Sequence, residues 1–159
     1  MEIVYVAGGC LWGVQAFIQT LPGVLLTEAG RANGTTHTLN SNYDGYVECV
    51  KVGFDAETLP ITALMHYLFE IIAPYSENKQ GIDVGEKYRT GIYSKQAKHL
   101  AQAQQFIDER QDKALVTVEV LPLRNYVRSA DEHQDRLHKH PNDYCHIPYA
   151  LLNKYSYEY

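Results

Sequence analysis

The stretch that most constrains the fold is Gly8-Gly9-Cys10-Leu11-Trp12-Gly13 together with what flanks it. Before it, Ile3-Val4-Tyr5-Val6-Ala7 is an apolar run of the length and β-branched content of a buried strand. After it, Val14, Phe17, Ile18 and Leu21 recur at i, i+3, i+4 and i+7, the stripe of an amphipathic helix. Cys10 therefore stands at a strand-to-helix junction, at or just before the first helical turn. Glycines at such a junction let the backbone turn sharply and approach a ligand closely. Unpaired N–H groups and the positive end of the helix dipole favour a thiolate there. A buried structural cysteine on a tight turn fits the same stretch, so the stretch alone leaves both readings open.

The rest of the chain alternates strand and helix patterns. Leu21-Pro22-Gly23 breaks the first helix, and Val24 to Ala29 reads as a second strand ending at Gly30-Arg31-Ala32-Asn33-Gly34. Tyr46 to Phe54 is a third strand, with Tyr46, Glu48, Val50, Val52 and Phe54 on one face and Val47, Cys49 and Lys51 on the other. Pro60 opens a helix whose stripe is Ile61, Leu64, Met65, Leu68, Phe69 and Ile72. Ala73 to Lys87 is a long loop, a length usually functional or mobile. A fourth strand follows over Tyr88 to Ser94, a helix over Gln96 to Arg110 and a fifth strand over Leu115 to Leu121. Ser129-Ala130-Asp131-Glu132 has the form of a capping box opening a polar helix to about Lys139, and the remainder reads as an irregular tail. The fold expected is α+β, a two-layer sandwich with a ferredoxin-like mixed sheet at its core, as a single domain over residues 1–159. In that topology the ends of strands one and two and the starts of strands three and four share one edge. Cys10, Arg31, Glu48 and Tyr88 would then meet there, beside the long loop.

A net charge of -5 argues against nucleic acid or an anionic membrane as partner. Met1 leads directly into a strand with no signal peptide, and the chain is expected in the cytoplasm, as a monomer. Cys10, Cys49 and Cys145 are then reduced at rest, and any pairing is catalytic or redox-sensing. Their spacing is no zinc signature, and neither is that of His133, His138, His140, Cys145 and His146; no metal or cofactor is expected.

On the shared edge, Glu48 lies on the face of strand three that carries Val50 and Val52, so partial burial should raise its pKa toward that of a proton donor near neutrality. A strand-end glutamate reaching water is the plain alternative. Asp83 and Tyr88, in Gln80-Gly81-Ile82-Asp83-Val84-Gly85-Glu86-Lys87-Tyr88-Arg89, can bind or orient an oxygen ligand. Cys145, in the flexible tail His140-Pro141-Asn142-Asp143-Tyr144-Cys145-His146, is suited to reach another sulfur. His133 as a base for a Cys10 hydrolase is a remote alternative.

Together these segments resemble the A-class peptide methionine sulfoxide reductases. The resemblance runs from Val6 to about Ile147 and rests on Gly-Gly-Cys-Leu-Trp-Gly, Leu-Pro-Gly-Val, Asp-Gly-Tyr-Val-Glu, Gln-Gly-Ile-Asp-Val-Gly-Glu-Lys-Tyr-Arg, Asp-Glu-His-Gln-Asp and Pro-Asn-Asp-Tyr-Cys. It implies that Cys10 is the nucleophile, that Trp12 and Leu11 wall the pocket for the sulfoxide methyl group, and that Glu48 protonates the sulfoxide oxygen. It implies that Asp83 and Tyr88 hold that oxygen or its water, that Tyr144 is a further pocket tyrosine, and that Cys145 resolves the oxidised Cys10. It also implies the substrate, the S-epimer of methionine sulfoxide, free or in proteins, and a thioredoxin or similar dithiol as reductant. Three positions depart from the family pattern: Leu11 stands for phenylalanine, Arg31 for a tyrosine that helps bind the sulfoxide, and Asp143 for glycine. Arg31 can replace that tyrosine as a donor and favour a thiolate, but paired with Glu48 it would hold the carboxyl ionised. A non-catalytic sulfoxide-binding or redox-sensing relative, disabled by Arg31 and Leu11, is the alternative. Cys49 reads as packing.

Overall fold

A computed structural model describes residues 1–156. The chain runs through β1 (Glu2–Gly8), α1 (Leu11–Ile18), β2 (Val24–Ala32), β3 (Val47–Phe54), α2 (Ile61–Ile71), β4 (Lys79–Gln80), β5 (Asp83–Val84), β6 (Thr90–Ser94), α3 (Ala97–Asp108), β7 (Glu119–Pro122), β8 (Tyr126–Arg128), α4 (Arg136–Lys139) and α5 (Tyr149–Leu152). One six-stranded sheet has the order β7-β6-β1-β3-β2-β8, and β4-β5 form a separate hairpin. Its inner four strands, β6-β1-β3-β2, are antiparallel neighbours throughout, which leaves β1 and β2 parallel to each other. That is the ferredoxin-like arrangement expected; β7 is added parallel to β6 and β8 antiparallel to β2.

The two-residue period of the strands divides the core. Val4 and Val6 of β1 and Val50, Val52 and Phe54 of β3 face the helices, where Phe17, Leu64, Met65 and Leu68 bury against them. Tyr5, Ala7, Val47, Cys49 and Tyr93 face the other way, partly covered by Leu123 and Tyr126. Cys49 is fully buried in this second cluster and packs, as its place on the strand implied.

Three local expectations are corrected. Tyr88 is not in a strand: residues Glu86–Tyr88 form a 3-10 turn, and β6 begins at Thr90. Residues 113–115 likewise form a 3-10 turn before the fifth strand, which begins only at Glu119. The helix expected from Ser129 to Lys139 is broken into a 3-10 turn (Asp131–His133) and α4, without a side-chain cap bond. The cause is Gln134, whose buried amide extends the β2 edge: its Oε1 accepts from Ala29 N–H (2.8 Å), and its Nε2 donates to Ala29 O (2.9 Å) and Ser129 O (3.0 Å). Asp135 follows in a left-handed conformation (φ 53°), its N–H given to Gln15 Oε1 at 2.9 Å. Gln134→Ala strands these buried groups and should cost about 2–4 kcal/mol of stability, readable by urea denaturation; an unchanged midpoint would remove this account of the break.

The tail is exposed at many positions but is anchored to the core at Ile147 and Tyr155, where the sequence reading expected a loose segment. Ile147 is 2% exposed in the main core, and the ring of Tyr155 packs edge-on to Tyr67 while its hydroxyl donates to Glu70 (2.6 Å). Residues 157–159 of the expected tail lie outside the described residues.

Candidate active site

Gly9 turns the chain with φ 93°, which places Cys10 as the residue capping α1. A Cβ at Gly9 would stand 2.7 Å from Gln80, so only glycine lets the β4–β5 hairpin close over the cysteine. The sheet supplies the facing carboxylate. Arg31 and Glu48 are cross-strand partners between β2 and β3, on the face that further along packs against α1. At its open end that face meets the helix N-terminus, and Glu48 Oε1 accepts the unpaired N–H of Leu11 at 3.1 Å. Lys87 Nζ stands 4.0 Å from the other carboxylate oxygen.

A cavity of about 270 Å³ opens over Cys10. Leu11, Trp12, Arg31, Glu48, Asp83, Tyr88 and Tyr144 all line it, so eight of the nine residues expected at the site meet there. The ninth, Cys145, does not. Its sulfur packs against Gly13, where a Cβ would collide with it, and it lines a separate groove of about 620 Å³. Both Cys10 and Cys145 are free thiols.

The electrostatics correct one expectation. Burial, with the Glu48 charge second, pushes the Cys10 thiol up to about 12, and the nearby Trp12 N–H offsets only part of this. The helix start therefore does not outweigh burial at the Cys10 thiol. Burial also raises the pKa of Glu48, outweighing the Leu11 N–H and the Lys87 charge. Two groups that each resist a negative charge face one cavity, so the pair favours states in which a proton is kept between them.

Arg31 does not neutralise Glu48. Its guanidinium lies over the Tyr46 ring, 4.4 Å from the centroid, and its side-chain contact is to Leu39 O at 3.5 Å. Its charge is the smallest of the influences on the Glu48 carboxyl. The pairing that would have disabled an acid is absent. Leu11 contributes chiefly its N–H: its side chain is 5% exposed and belongs to the core. Trp12 is fixed by His133, whose Nδ1 accepts the indole N–H at 3.2 Å, and by Arg136, stacked 4.9 Å from the ring. With Nδ1 so engaged and Nε2 facing Glu132 at 4.0 Å, His133 is not a base aimed at Cys10.

The sequence reading missed two wall residues, Lys87 and Ser129; Tyr46, which with Tyr43 was a candidate to fill the place of the tyrosine that Arg31 replaces, lines the cavity, and so does His133, in another role than the base weighed for it. Lys87 stands inside a quoted motif, beside Tyr88, and neighbourhood in the motif was the signal available. It missed His146 as well. That ring is buried 3.8 Å from Asp83 and against Gly9, with both nitrogens and Asp83 Oδ2 lacking a hydrogen-bond partner among the described residues. Among the described residues, no group of three or more His, Cys, Asp or Glu side chains is placed to hold a metal, and no helix is long and apolar enough to cross a membrane.

A thiol, a carboxyl whose pKa is raised by burial and an indole wall make a site for an apolar group bearing an oxygen to be protonated. Known proteins carry the same arrangement of chain. A peptide methionine sulfoxide reductase MsrA of Clostridium acetobutylicum is 38% identical over 162 residues, covering 98% of this chain and all of the relative. The methionine sulfoxide reductase A structure of Corynebacterium diphtheriae superposes with a TM-score of 0.80 at 30% identity, over 91% of this chain and 77% of the other. Mxr1 of Saccharomyces cerevisiae shares the fold at 23% identity, with a TM-score of 0.84 in its reduced form over 91% and 88% of the two chains. Its complex with Trx2 matches at 0.61 and 16% identity, over 85% and 84%. The sequence pattern of the family described as peptide methionine sulfoxide reductase matches residues 2–158, and with that span the chain belongs to this family.

Proposed function

We propose that the chain reduces the S-epimer of methionine sulfoxide to methionine, with Cys10 as nucleophile and Glu48 as proton donor. Membership of the family makes it an oxidoreductase of methionine sulfoxide. The observation that carries the residue assignment is the Leu11 N–H bond to Glu48, which holds a raised-pKa carboxyl in the cavity of Cys10.

The sulfoxide sulfur sits over Cys10 with its methyl group on Trp12 and its oxygen toward Glu48, Tyr88 and Asp83. The Cys10 sulfur attacks the sulfoxide sulfur, and Glu48 protonates the oxygen. Methionine leaves with two electrons gained, and Cys10, two electrons poorer, keeps the oxygen as a sulfenic acid. The Cys145 thiol then condenses with it, forming the Cys10–Cys145 disulfide and releasing water. This needs Cys145 to swing from its seat against Gly13. An external dithiol reduces the disulfide by exchange; the yeast relative's complex with Trx2 supports a thioredoxin in that role. No metal or organic cofactor enters these steps. Tyr144 closes the cavity beside the hairpin, its hydroxyl 3.1 Å from where a Gly81 Cβ would stand. The proposed setting is the cytoplasm, where a reducing medium returns the thiols to their reduced state between turnovers, and the proposed state is a monomer.

Incubation with mixed epimers and dithiothreitol, followed by chiral chromatography, should consume one epimer only; survival of both overturns the reading. With thioredoxin in place of dithiothreitol, Cys145→Ser should release about one methionine per enzyme and then stop. Continued cycling at the wild-type rate would take the resolving role from Cys145.

A further inference from the structure

Of the six arginines, Arg89, Arg110, Arg128 and Arg136 each hold a carboxylate within ion-pair distance, and Arg124 is exposed to water. Arg31 is the exception that bears on chemistry. It is half-buried, lines the cavity of Cys10, and has no carboxylate within 4.0 Å among the described residues. The nearby acids are otherwise engaged. Asp44 accepts from Thr36 N–H (2.8 Å) and the Thr36 hydroxyl (2.6 Å), and Glu48 is held by Leu11 and faced by Lys87. Tyr46 covers one face of the guanidinium and leaves its N–H edge with one long contact, to Leu39 O. A guanidinium has five donors in a planar fork, the geometry that binds a carboxylate in two places. Leaving such a charge half-desolvated without a counter-ion costs free energy that a bound anion would recover.

We propose that Arg31 is a specificity-determining residue that selects methionine sulfoxide carrying a carboxylate close to the sulfoxide. The placement sets the range. Arg31 is the cross-strand partner of Glu48, and partner Cα atoms stand about 5 Å apart. The sulfur of a methionine sulfoxide is three bonds from its own Cα. With the oxygen at Glu48, the substrate's main chain, or the side chain of an adjoining residue, comes level with Arg31. Two sources share the chemistry: the α-carboxylate of a free or C-terminal methionine sulfoxide, and an aspartate or glutamate next to it in a peptide. The inference rests on the reductase reading of the site and names the substrates it prefers.

The test compares N-acetylmethionine sulfoxide with its uncharged amide, and acetylated dipeptide amides having aspartate or asparagine before or after the sulfoxide. For at least one charged member, wild-type kcat/KM should exceed that of the uncharged partner by about tenfold, mainly through KM, the scale of one charge-assisted hydrogen bond. Added salt should shrink the ratio. In Arg31→Gln the ratio should fall to about one, whatever happens to the overall rate, and Arg31→Lys should keep part of it. Which pair shows the preference identifies the source. Equal kcat/KM within every pair, or a ratio that survives Arg31→Gln, overturns the proposal. Calorimetric binding of the same pairs to Cys10→Ser reads the preference without turnover, so an inactive enzyme would refute the reductase reading and still decide this one.

Discussion

The Cys10→Ser enzyme releases no methionine above background from either epimer, a loss of at least about 10⁴-fold by analogy with removal of other nucleophiles, while its thermal midpoint does not fall. The two halves of this expectation separate a nucleophile from a packing cysteine. A hydroxyl is too weakly acidic and too poor a nucleophile toward sulfur to replace the thiol, and it cannot form a sulfenic acid. The structural cost, however, is absent. Cys10 occupies the capping position of α1 and makes no side-chain capping bond there. Serine is among the preferred residues at that position, and a hydroxyl accepting an N–H of the first turn is worth up to about 1 kcal/mol. Methionine release and circular-dichroism melts on one preparation check both. A variant that lost activity through a lowered midpoint would return Cys10 to a structural role, and one that kept activity would end the mechanism. Labelling with a sulfenic-acid trap should mark Cys10 in Cys145→Ser and nothing at that position when Cys10→Ser is combined with it.

Sheet and site were legible to different depths. The alternation of Val4, Val6, Val50 and Val52 and the strand–Gly-Gly–helix junction were enough for the four-stranded core and its shared edge, because a two-residue period needs only four or five residues to show itself. β8 spans three residues and offers no period to read. The break before α4 could not be read locally, because Gln134 leaves the helix for Ala29, 105 positions earlier in the chain. The capping-box pattern was present and lost to those bonds. At the site, the convergence on one cavity was legible, since Cys10 follows β1, Glu48 stands near the start of β3 and Tyr88 lies just ahead of β6. Their charge states were not. A helix N-terminus argues for a thiolate in sequence terms, but the desolvation that dominates Cys10 comes from the hairpin, His146 and the sheet closing around it. Arg31 and Glu48 are cross-strand partners but do not pair, because the guanidinium lies on the Tyr46 ring.

Glu48→Gln should move two properties of the site in opposite directions. Methionine release should fall by about 10²–10⁴-fold, the usual worth of a positioned general acid. The amide oxygen can still accept the Leu11 N–H, so the side chain keeps its place and loses only its acidic proton. At the same time Cys10 becomes easier to ionise. The Glu48 charge is the second-largest cause raising the Cys10 thiol to about 12, and a neutral side chain removes it. Burial, the largest cause, remains, so the titration moves down toward the ordinary value of 9.0 without reaching it. Alkylation of Cys10 by iodoacetamide, located by mass spectrometry at a mildly alkaline pH, should therefore be faster in the variant than in the wild type. The pH profile carries the same sign. In the wild type the productive pair holds one proton, so turnover rises through the raised pKa of Glu48 and then stays level until Cys10 also ionises, near 12. In Glu48→Gln no carboxyl titrates, and the residual turnover climbs with pH as the thiolate forms. Slower alkylation together with slower turnover would mean that Glu48 acts by assisting thiolate formation, and unchanged turnover would mean that the oxygen is protonated from elsewhere. A fast-reacting Cys10 in an enzyme that barely releases methionine is the signature of a nucleophile that has lost its acid.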